Sequence, residues 1–255
     1  MSINVPAKGN KKLEEVLKRV NNSTGINTIW ECCNVNSVKR MKMTDHGKTH
    51  FAIVSNIALK MLRLLTEKGI EPSIVKDHGM GKEDAEVVVF LASVLHDLGI
   101  SVHRDNHYIF SVPLASQVLP ELLKGIYDER ERTIVASEVL NAIYSHEAGL
   151  RILTLEAGIV RVADALDMEE GRARIPFEQG KVDIYSISAM SISDVSISAG
   201  KEKPVVIQIK LHNEAGIFQV DELLKRKIAG TGLEKYISVV AEIGEKRVLK
   251  KYEME

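Results

Sequence analysis

An apolar segment in the first half of the chain restricts its fold more than any other feature. Residues 85–95 read AEVVVFLASVL and are almost entirely apolar. Glu83 and Asp84 precede this segment, and Gly99 follows it. Acidic residues at the start and a glycine after the end are typical of a helix. The segment therefore predicts a strongly apolar helix that is stopped by Gly99.

Apolar residues with helical spacing predict further helices on both sides of this segment. These helices are expected at residues 11–20, around Ile29 and Trp30, and at residues 45–67, 113–123, 133–145 and 153–168. The intervening residues 68–82 are rich in glycine, proline and charge, so they are expected to form a loop. The first two thirds of the chain are therefore predicted to be helical.

The pattern changes after about Pro176. Alternation of apolar and polar residues with a period of two predicts strands that bury one face. The predicted strands are residues 182–198, 205–211, 237–243 and 248–252, with a helix at residues 218–228. We therefore expect a mainly α fold, with a helical domain over residues 1–176 and a small α+β domain over residues 177–255.

The composition gives no general attraction to nucleic acid or to membranes. The 255 residues carry 34 basic and 35 acidic side chains, a formal net charge of -1, so a nucleic-acid partner is not indicated. No apolar run approaches the roughly 20 residues of a membrane-spanning helix. Cys32 and Cys33 are adjacent, which disfavours a relaxed disulfide. With no signal peptide at the start, a cytoplasmic location is expected.

The distribution of histidines is the most informative functional feature. Six of the eight histidines lie near predicted helix ends or in one short segment: His46, His50, His96, His103, His107 and His146. His96 and Asp97 end the apolar helix, where a carboxylate faces the negative end of the helix dipole and needs a positive partner. A metal ion would supply that charge. A solvated aspartate in a C-terminal turn is the alternative.

Three further residues lie on predicted inward faces of helices. Asp164 is an acidic residue in an apolar helix, which is costly unless it is paired, either with a metal or with Arg161 three residues earlier. His50 is either a ligand or a hydrogen-bonded core histidine, and His46, four residues earlier, is expected to support it. His146 ends its helix, where a cationic histidine would also be stabilising.

The segment after the His96-Asp97 pair suits phosphate. His103, Arg104 and His107 would offer two imidazoles and a guanidinium to phosphoryl oxygens, although they could equally form a polar surface turn. Together with the inward-facing histidines and aspartates, they indicate a metal site of nitrogen and oxygen ligands. Such a site suits Mn, Fe, Ni, Co or Zn better than a cage of oxygens alone would.

The order His50, His96-Asp97, Asp164 resembles the H…HD…D signature of the HD-domain metal-dependent phosphohydrolases. The sequences HDLG and RVADALD carry this resemblance, which covers roughly residues 40–175. It implies an all-helical core in which those four residues hold a metal. In two-metal members of the family the aspartate at the position of Asp97 bridges the ions, and here His107 and His146 would complete the second site.

Parts of the same region also resemble the C-terminal HD region of the exopolyphosphatases. The ATPase-like N-terminal half of that family has no counterpart in this sequence, so polyphosphate hydrolysis is not carried over. The family resemblance implies a hydrolase for a phosphomonoester or phosphodiester, in particular of a nucleotide, that acts through metal-bound water. One or two divalent ions are expected per chain, either Mg or one of the five transition metals named above.

Under this interpretation the expected catalytic residues are Asp97, His103, Arg104 and His107. His46 and Arg161 are expected to support the ligands. One alternative is a module that binds a phosphorylated ligand without turnover, and another is a closed, structural metal site. The partner would be a small phosphorylated molecule, and the C-terminal domain could form a lid or the interface of a homodimer.

Overall fold

A computed structural model describes residues 2–171, 184–244 and 247–253. Its first part is helical, as predicted. The helices are α1 (Lys11–Asn22), α2 (Thr24–Asn34), α3 (Lys48–Glu67), α4 (Ser73–His78), α5 (Lys82–Leu95), α6 (His107–Leu123), α7 (Glu129–Ser145) and α8 (Leu155–Ala165). A π-helical segment, Val35–Arg40, extends α2, and a 3-10 turn, Leu98–Ser101, follows α5.

Helix α5 is the central element of the helical core. All of its residues from Ala85 to Leu95 except Glu86 are buried, and the helix packs against α1, α3, α4, α7 and α8. A helix that is apolar around its whole circumference gains stability only when other elements surround it. The apolar segment that restricts the fold in the sequence is therefore the element around which the other helices are arranged.

Gly99 has a different structural role from the one predicted. Helix α5 already ends at Leu95, and Gly99 does not adopt the left-handed conformation of a glycine that stops a helix. Instead, the backbone of α6 passes directly over it. A Cβ atom at this position would collide with the carbonyl oxygen of His107 and lie 2.7 Å from the amide nitrogen of Ser111. The missing side chain therefore lets α6 approach the end of α5.

Several predicted boundaries differ from the structure. Helix α3 begins at Lys48 rather than at residue 45, so His46 lies in the loop before it. Helix α6 begins at His107, two turns before Pro113, and contains that proline in its interior. Helix α7 begins at Glu129, and α8 is confined to Leu155–Ala165. The segment predicted as a loop, residues 68–82, contains the short helix α4.

The C-terminal part contains a four-stranded sheet. Its strands are β1 (Ile192–Ala199), β2 (Val205–Leu211), β3 (Ile237–Ile243) and β4 (Arg247–Glu253), in the order β1-β2-β3-β4. The pairs β1-β2 and β3-β4 are antiparallel. The pair β2-β3 is parallel. A parallel pair requires a long crossover connection. Here a π-helical segment (Gln219–Leu224), the helix α10 (Lys225–Ile228) and two 3-10 turns form it.

The predicted strand structure over residues 182–198 forms in only part of that segment. Residues 182 and 183 lie outside the described part of the chain. Ile184–Ala189 form a helix, α9, and only the second half of the segment forms a strand, β1. The sequence IYSISA alternates apolar and polar residues, but α9 leaves Ile184, Tyr185 and Ile187 exposed. A segment of six residues is too short to distinguish the period of a strand, two residues, from that of a helix, about 3.6 residues. The alternation therefore did not identify a strand.

Helix α8 joins the helical core to the C-terminal part. It packs against α3, α5 and α7 on one side and against α10 on the other. At Gly158 of α8 a Cβ atom would lie 3.2 Å from the carbonyl oxygen of Thr231, so a loop of the C-terminal part runs close to the helix. The chain is mainly α with a small α+β part, as predicted. The predicted boundary at residues 176 and 177 falls outside the described residues.

The described helices also bear on a membrane location. Among the residues that the structure describes, none of the helices is both long enough and apolar enough to cross a bilayer.

We predict that Gly99→Ala lowers the free energy of unfolding by roughly 1–3 kcal/mol, because the added methyl group meets backbone atoms that cannot rotate away. The matched control is Gly25→Ala in α2, where a Cβ atom would have its nearest contact at 4.0 Å. That control should change stability by no more than about 1 kcal/mol, in the stabilising direction. Urea denaturation of both variants measures the difference, and equal stabilities would contradict the close approach of α6.

Candidate metal centre

The ends of four helices bring the predicted metal ligands together. His50 lies in the first turn of α3, and the pair His96-Asp97 directly follows α5. Asp164 lies in the last turn of α8, and His146 directly follows α7. The three histidines and Asp97 are buried, and the side chain of Asp164 is 15% exposed. Because α3, α7 and α8 all pack around α5 or each other, these side chains converge on one point.

Four of these residues form a first ligand group. Its histidine atoms, His50 Nε2 and His96 Nε2, are 3.3 Å apart. Asp97 Oδ2 lies 3.6 Å from the former and 3.4 Å from the latter. Asp164 Oδ1 lies 3.5 and 3.6 Å from the same two nitrogens. Ligands about 2.1 Å from one ion and about 90–120° apart are separated by about 3.0–3.6 Å, so this spacing fits a single metal ion.

The hydrogen bonds of the two histidines show why a cation belongs at this point. His50 Nδ1 donates to Asp167 Oδ2 at 2.6 Å. His96 Nδ1 donates to the carbonyl oxygen of Ser93 at 2.8 Å. In a neutral imidazole the other nitrogen then has a lone pair and no proton. Two lone pairs and two carboxylate oxygens therefore face each other, an arrangement that a positive charge stabilises.

A second ligand group lies beside the first and shares Asp97 with it. Asp97 Oδ1 lies 3.0 Å from His107 Nε2 and 3.5 Å from His146 Nε2. The two Nε2 atoms are 3.1 Å apart. Glu147 Oε2 lies 4.0 Å from His107 Nε2 and could complete the group. The two oxygens of Asp97 therefore face different groups, so Asp97 would be the ligand shared by the two groups if each held an ion.

The pKa values of His96 and Asp97 also indicate that this point favours a positive charge. Burial alone would lower the pKa of His96, but the charges of Asp97 and Asp164 outweigh burial and raise it to about 10. Burial would raise the pKa of Asp97, but His96 and the other histidines around it hold it well below its usual range. A proton on His96 thus takes the place of a metal charge, and the two compete for the same nitrogen.

The second group contains at least one neutral histidine. Burial lowers the pKa of His146 to about 4, although its contact with Asp97 acts in the opposite direction. Its Nδ1 donates to the carbonyl oxygen of Ile143 at 2.6 Å, so Nε2 has the lone pair. His107 Nδ1 lies near both the carbonyl oxygen and the guanidinium of Arg104, at 3.0 and 2.8 Å, two contacts that require opposite tautomers.

Two neighbouring residues orient the ligands. Asp167 is buried and fixes the ring of His50. Carboxylates that hold a ligand histidine in this way set its tautomer and raise its basicity. His46 Nδ1 lies 2.8 Å from Asp97 Oδ2. His46 therefore contacts the aspartate from the loop before α3, rather than from the helix itself as predicted, and its ring lies edge-on to that of His50, with the centroids 5.3 Å apart.

The proposed pairing of Arg161 with Asp164 does not form. The buried guanidinium of Arg161 donates instead to the carbonyl oxygens of Ser145 and Leu150, which holds the segment after α7 in place. Asp164 Oδ2 accepts from Lys227 Nζ at 3.1 Å. Lys227 keeps the pKa of Asp164 well below its usual range, against the opposing effect of burial.

A cavity of about 630 Å³ lies over the two ligand groups. Its floor includes Asp97, His107 and Asp164, and Arg104 lies on its wall. His103 does not line the cavity: its side chain is 62% exposed, and its Nδ1 accepts from the backbone of Asp105. The structure therefore brings Arg104 and His107 to the centre and leaves His103 on the surface, so it gives no support for a catalytic His103.

Three residues of the site were not identified from the sequence. Glu147 had a signal: HEAG at residues 146–149 repeats the pattern HDLG at residues 96–99, a histidine, an acid and a glycine after a helix. Asp167 follows Asp164 by three residues, but it lies beyond the end of α8. Lys227 had no local signal, because it reaches the centre from a distant part of the chain.

Comparison with known proteins identifies the family. The HD domain family matches residues 48–169, which include all six predicted ligands. The uncharacterized protein MJ1020 of Methanocaldococcus jannaschii is 48% identical over 218 residues, which cover 86% of this chain and 84% of that protein. The chain therefore belongs to the HD-domain family, within the superfamily of metal-dependent phosphohydrolases. The resemblance to exopolyphosphatases stays a prediction.

We predict that Asp167→Asn lowers metal affinity roughly 10- to 100-fold, because the neutral amide holds His50 less firmly and makes it a weaker ligand. Titration of the metal-free protein with Mn²⁺ in competition with a chelating dye measures the effect. Asp77→Asn, at an exposed position of α4, is the matched control and should titrate like wild type. Unchanged affinity in Asp167→Asn would show that this contact does not tune the ligand.

Proposed function

We propose that this protein is a metal-dependent hydrolase of small phosphorylated molecules, with a nucleotide phosphoester as its substrate. One observation carries the proposal: Asp97 presents its two oxygens to two separate groups of histidines on the floor of an open cavity. A structural metal site is closed by protein ligands, whereas a catalytic site leaves room for water or substrate. The cavity over Asp97 and Asp164 provides that room.

The donor atoms limit the ions that would fit. His50, His96, Asp97 and Asp164 would hold one divalent ion, and Asp97, His107 and His146, with Glu147, a second. Such mixed nitrogen and oxygen ligands suit Mn, Fe, Co, Ni or Zn. A bound ion would supply Lewis acidity, which makes water more acidic and offsets the negative charge of a phosphoryl group. Asp167 and His46 would keep the ligands in the orientation that this requires.

Arg104 is the residue best placed to bind phosphate from the helical core. It lines the cavity beside His107, and its buried Nε atom has no hydrogen-bond partner among the described residues. A buried donor without a partner is costly, so the contacts of the fold alone do not satisfy this guanidinium. A guanidinium also matches phosphate oxygens with two parallel donors. We infer that Arg104 orients the phosphoryl group for attack.

The remaining walls of the cavity favour a substrate with an apolar portion. Met43, Met168, Leu223 and Tyr185 line the cavity together with the charged residues. Its volume of about 630 Å³ is within the usual range for small-molecule sites, about 300–1,000 Å³. A nucleotide combines a phosphate with an aromatic base, which could contact Tyr185 and the methionines. This combination is the basis for proposing a nucleotide.

Metal content and turnover together test the function. In Asp97→Ala both ligand groups lose their shared carboxylate. Metal affinity should therefore fall by more than the roughly 10- to 100-fold expected when a residue that only hydrogen-bonds a ligand is removed, and the metal content of the purified protein should fall as a result. Hydrolysis of an aryl phosphodiester and of a panel of nucleotides should fall with it. Elemental analysis and assays with Mn, Ni, Co and Mg measure both quantities, with Asp77→Ala as the control.

The outcomes separate the alternatives. Equal metal content in Asp97→Ala and wild type would contradict the proposed centre. Bound metal in wild type, with no hydrolysis of any substrate in the panel, would contradict the enzyme and favour a module that binds a phosphorylated ligand.

Arg104 and His103 provide a matched comparison within one segment. Arg104→Met should lower kcat/KM roughly 10- to 100-fold, because a charged hydrogen bond to the phosphoryl group is lost. His103→Ala should leave kcat/KM within about twofold of wild type, since its exposed ring lies outside the cavity. Steady-state kinetics with the best substrate of the panel measures both. A larger loss in His103→Ala than in Arg104→Met would reverse these assignments.

A further inference from the structure

We propose that Lys227, supplied by the C-terminal α+β part, binds the phosphate of the substrate at this metal centre. The inference rests on the proposed function, since it assigns a residue for that same site. Lys227 lies outside the matched HD domain, residues 48–169. It belongs to the short helix α10 within the crossover between β2 and β3. The C-terminal part would then complete the active site.

Lys227 is held at the centre by two contacts. Its Nζ donates to Asp164 Oδ2 at 3.1 Å and to the carbonyl oxygen of His146 at 3.0 Å. Both acceptors adjoin the ligand groups, because Asp164 Oδ1 faces His50 and His96 and the ring of His146 faces Asp97. The side chain of Lys227 is only 19% exposed. These contacts fix the ammonium group on the wall of the cavity.

An ammonium group has three N–H donors. Two of them have the partners just described, and no further acceptor for Lys227 is found among the described residues. Since Lys227 lines the cavity of about 630 Å³, the third donor is available to a molecule that enters it.

The charge of the cavity explains why this lysine would matter for an anionic substrate. Among the described lining residues, carboxylates outnumber cationic side chains by six to three. The carboxylates are Asp97, Glu147, Asp164, Asp167, Glu169 and Glu222, and the cations are Arg104, Arg226 and Lys227. Such a cavity repels phosphate until divalent ions offset the carboxylates. Each positive side chain near the ions then adds to the attraction for phosphate.

Metal binding also changes what Lys227 can do. Without metal, Lys227 is a cationic side chain paired with Asp164, with Nζ 3.1 Å from Oδ2. A divalent ion held by Asp164 would share that negative charge, so less of it would remain to attract Lys227. The lysine would then be able to attract a second anion. Arg226 is less suited to the role, because its side chain is 72% exposed and is paired with Glu222.

Phosphate binding by the full-length, metal-saturated protein tests the assignment. Titration calorimetry with inorganic phosphate should show a roughly 10- to 100-fold weaker affinity in Lys227→Met than in wild type, as expected for the loss of one charged hydrogen bond. Lys227→Arg should retain more of the affinity than Lys227→Met. Lys225→Met, at an exposed position of the same helix, is the matched control and should bind phosphate like wild type.

A metal titration distinguishes two possible roles of Lys227, which are to position Asp164 and to bind phosphate. Mn²⁺ should still saturate Lys227→Met, because all ligands of both groups remain. If the variant could not be saturated, or if it bound phosphate as wild type does once saturated, Lys227 would act only on Asp164 and the assignment would be overturned. A metal-saturated wild type that binds no phosphate would overturn it as well.

The result is also separable from the proposed function. If phosphate binding depends on Lys227 while no phosphoester is hydrolysed, the enzyme proposal fails and the assignment of Lys227 stands. If wild type hydrolyses phosphoesters and Lys227→Met binds phosphate normally, the function stands and the assignment fails. Running both assays on the same protein preparations gives these outcomes directly.

Discussion

The ends of four helices bring histidine nitrogens and carboxylate oxygens to one point, and a positive charge is needed there to stabilise them. Nε2 of His50 and Nε2 of His96 face the same point as the oxygens of Asp97 and Asp164. In both rings Nδ1 already holds a proton and donates it in a hydrogen bond. A second proton, on Nε2, would therefore make the ring positively charged. Without metal, a proton on His96 supplies the charge. This explains why buried carboxylates are tolerated beside the apolar helix α5, where their desolvation alone would be costly.

The packing of the helical core fixes the positions of these ligand side chains. Because α5 is buried around its whole circumference, its end is fixed by contacts with several helices, and the His96-Asp97 pair is fixed with it. Gly99 then allows α6 to cross close to that end, which places His107 3.0 Å from Asp97. A side chain at Gly99 would move His107 relative to Asp97, so the second ligand group depends on the close approach of two backbones.

The sequence predicted those features that depend on local pattern. His50, His96, Asp97 and Asp164 lie on or next to apolar helices, and an ionisable residue on an apolar face is visible without a structure. Glu147 was overlooked although its HEAG repeats the HDLG pattern. His46 was placed on the wrong element, because the start of α3 was set one turn too early. Lys227 could not be predicted, since the tertiary fold alone brings it to Asp164.

Metal and phosphate binding must influence each other if both occur at this centre. The described cavity residues carry more negative than positive charge, so bound ions would be needed to make the cavity attractive to an anion. Thermodynamic linkage requires the reverse effect of equal size: a bound phosphate must hold the ions more tightly. Asp164 connects the two events, because one oxygen faces the ligand histidines and the other accepts from Lys227. Lys227 of the C-terminal part therefore contacts a proposed metal ligand with one N–H donor and would bind phosphate with another.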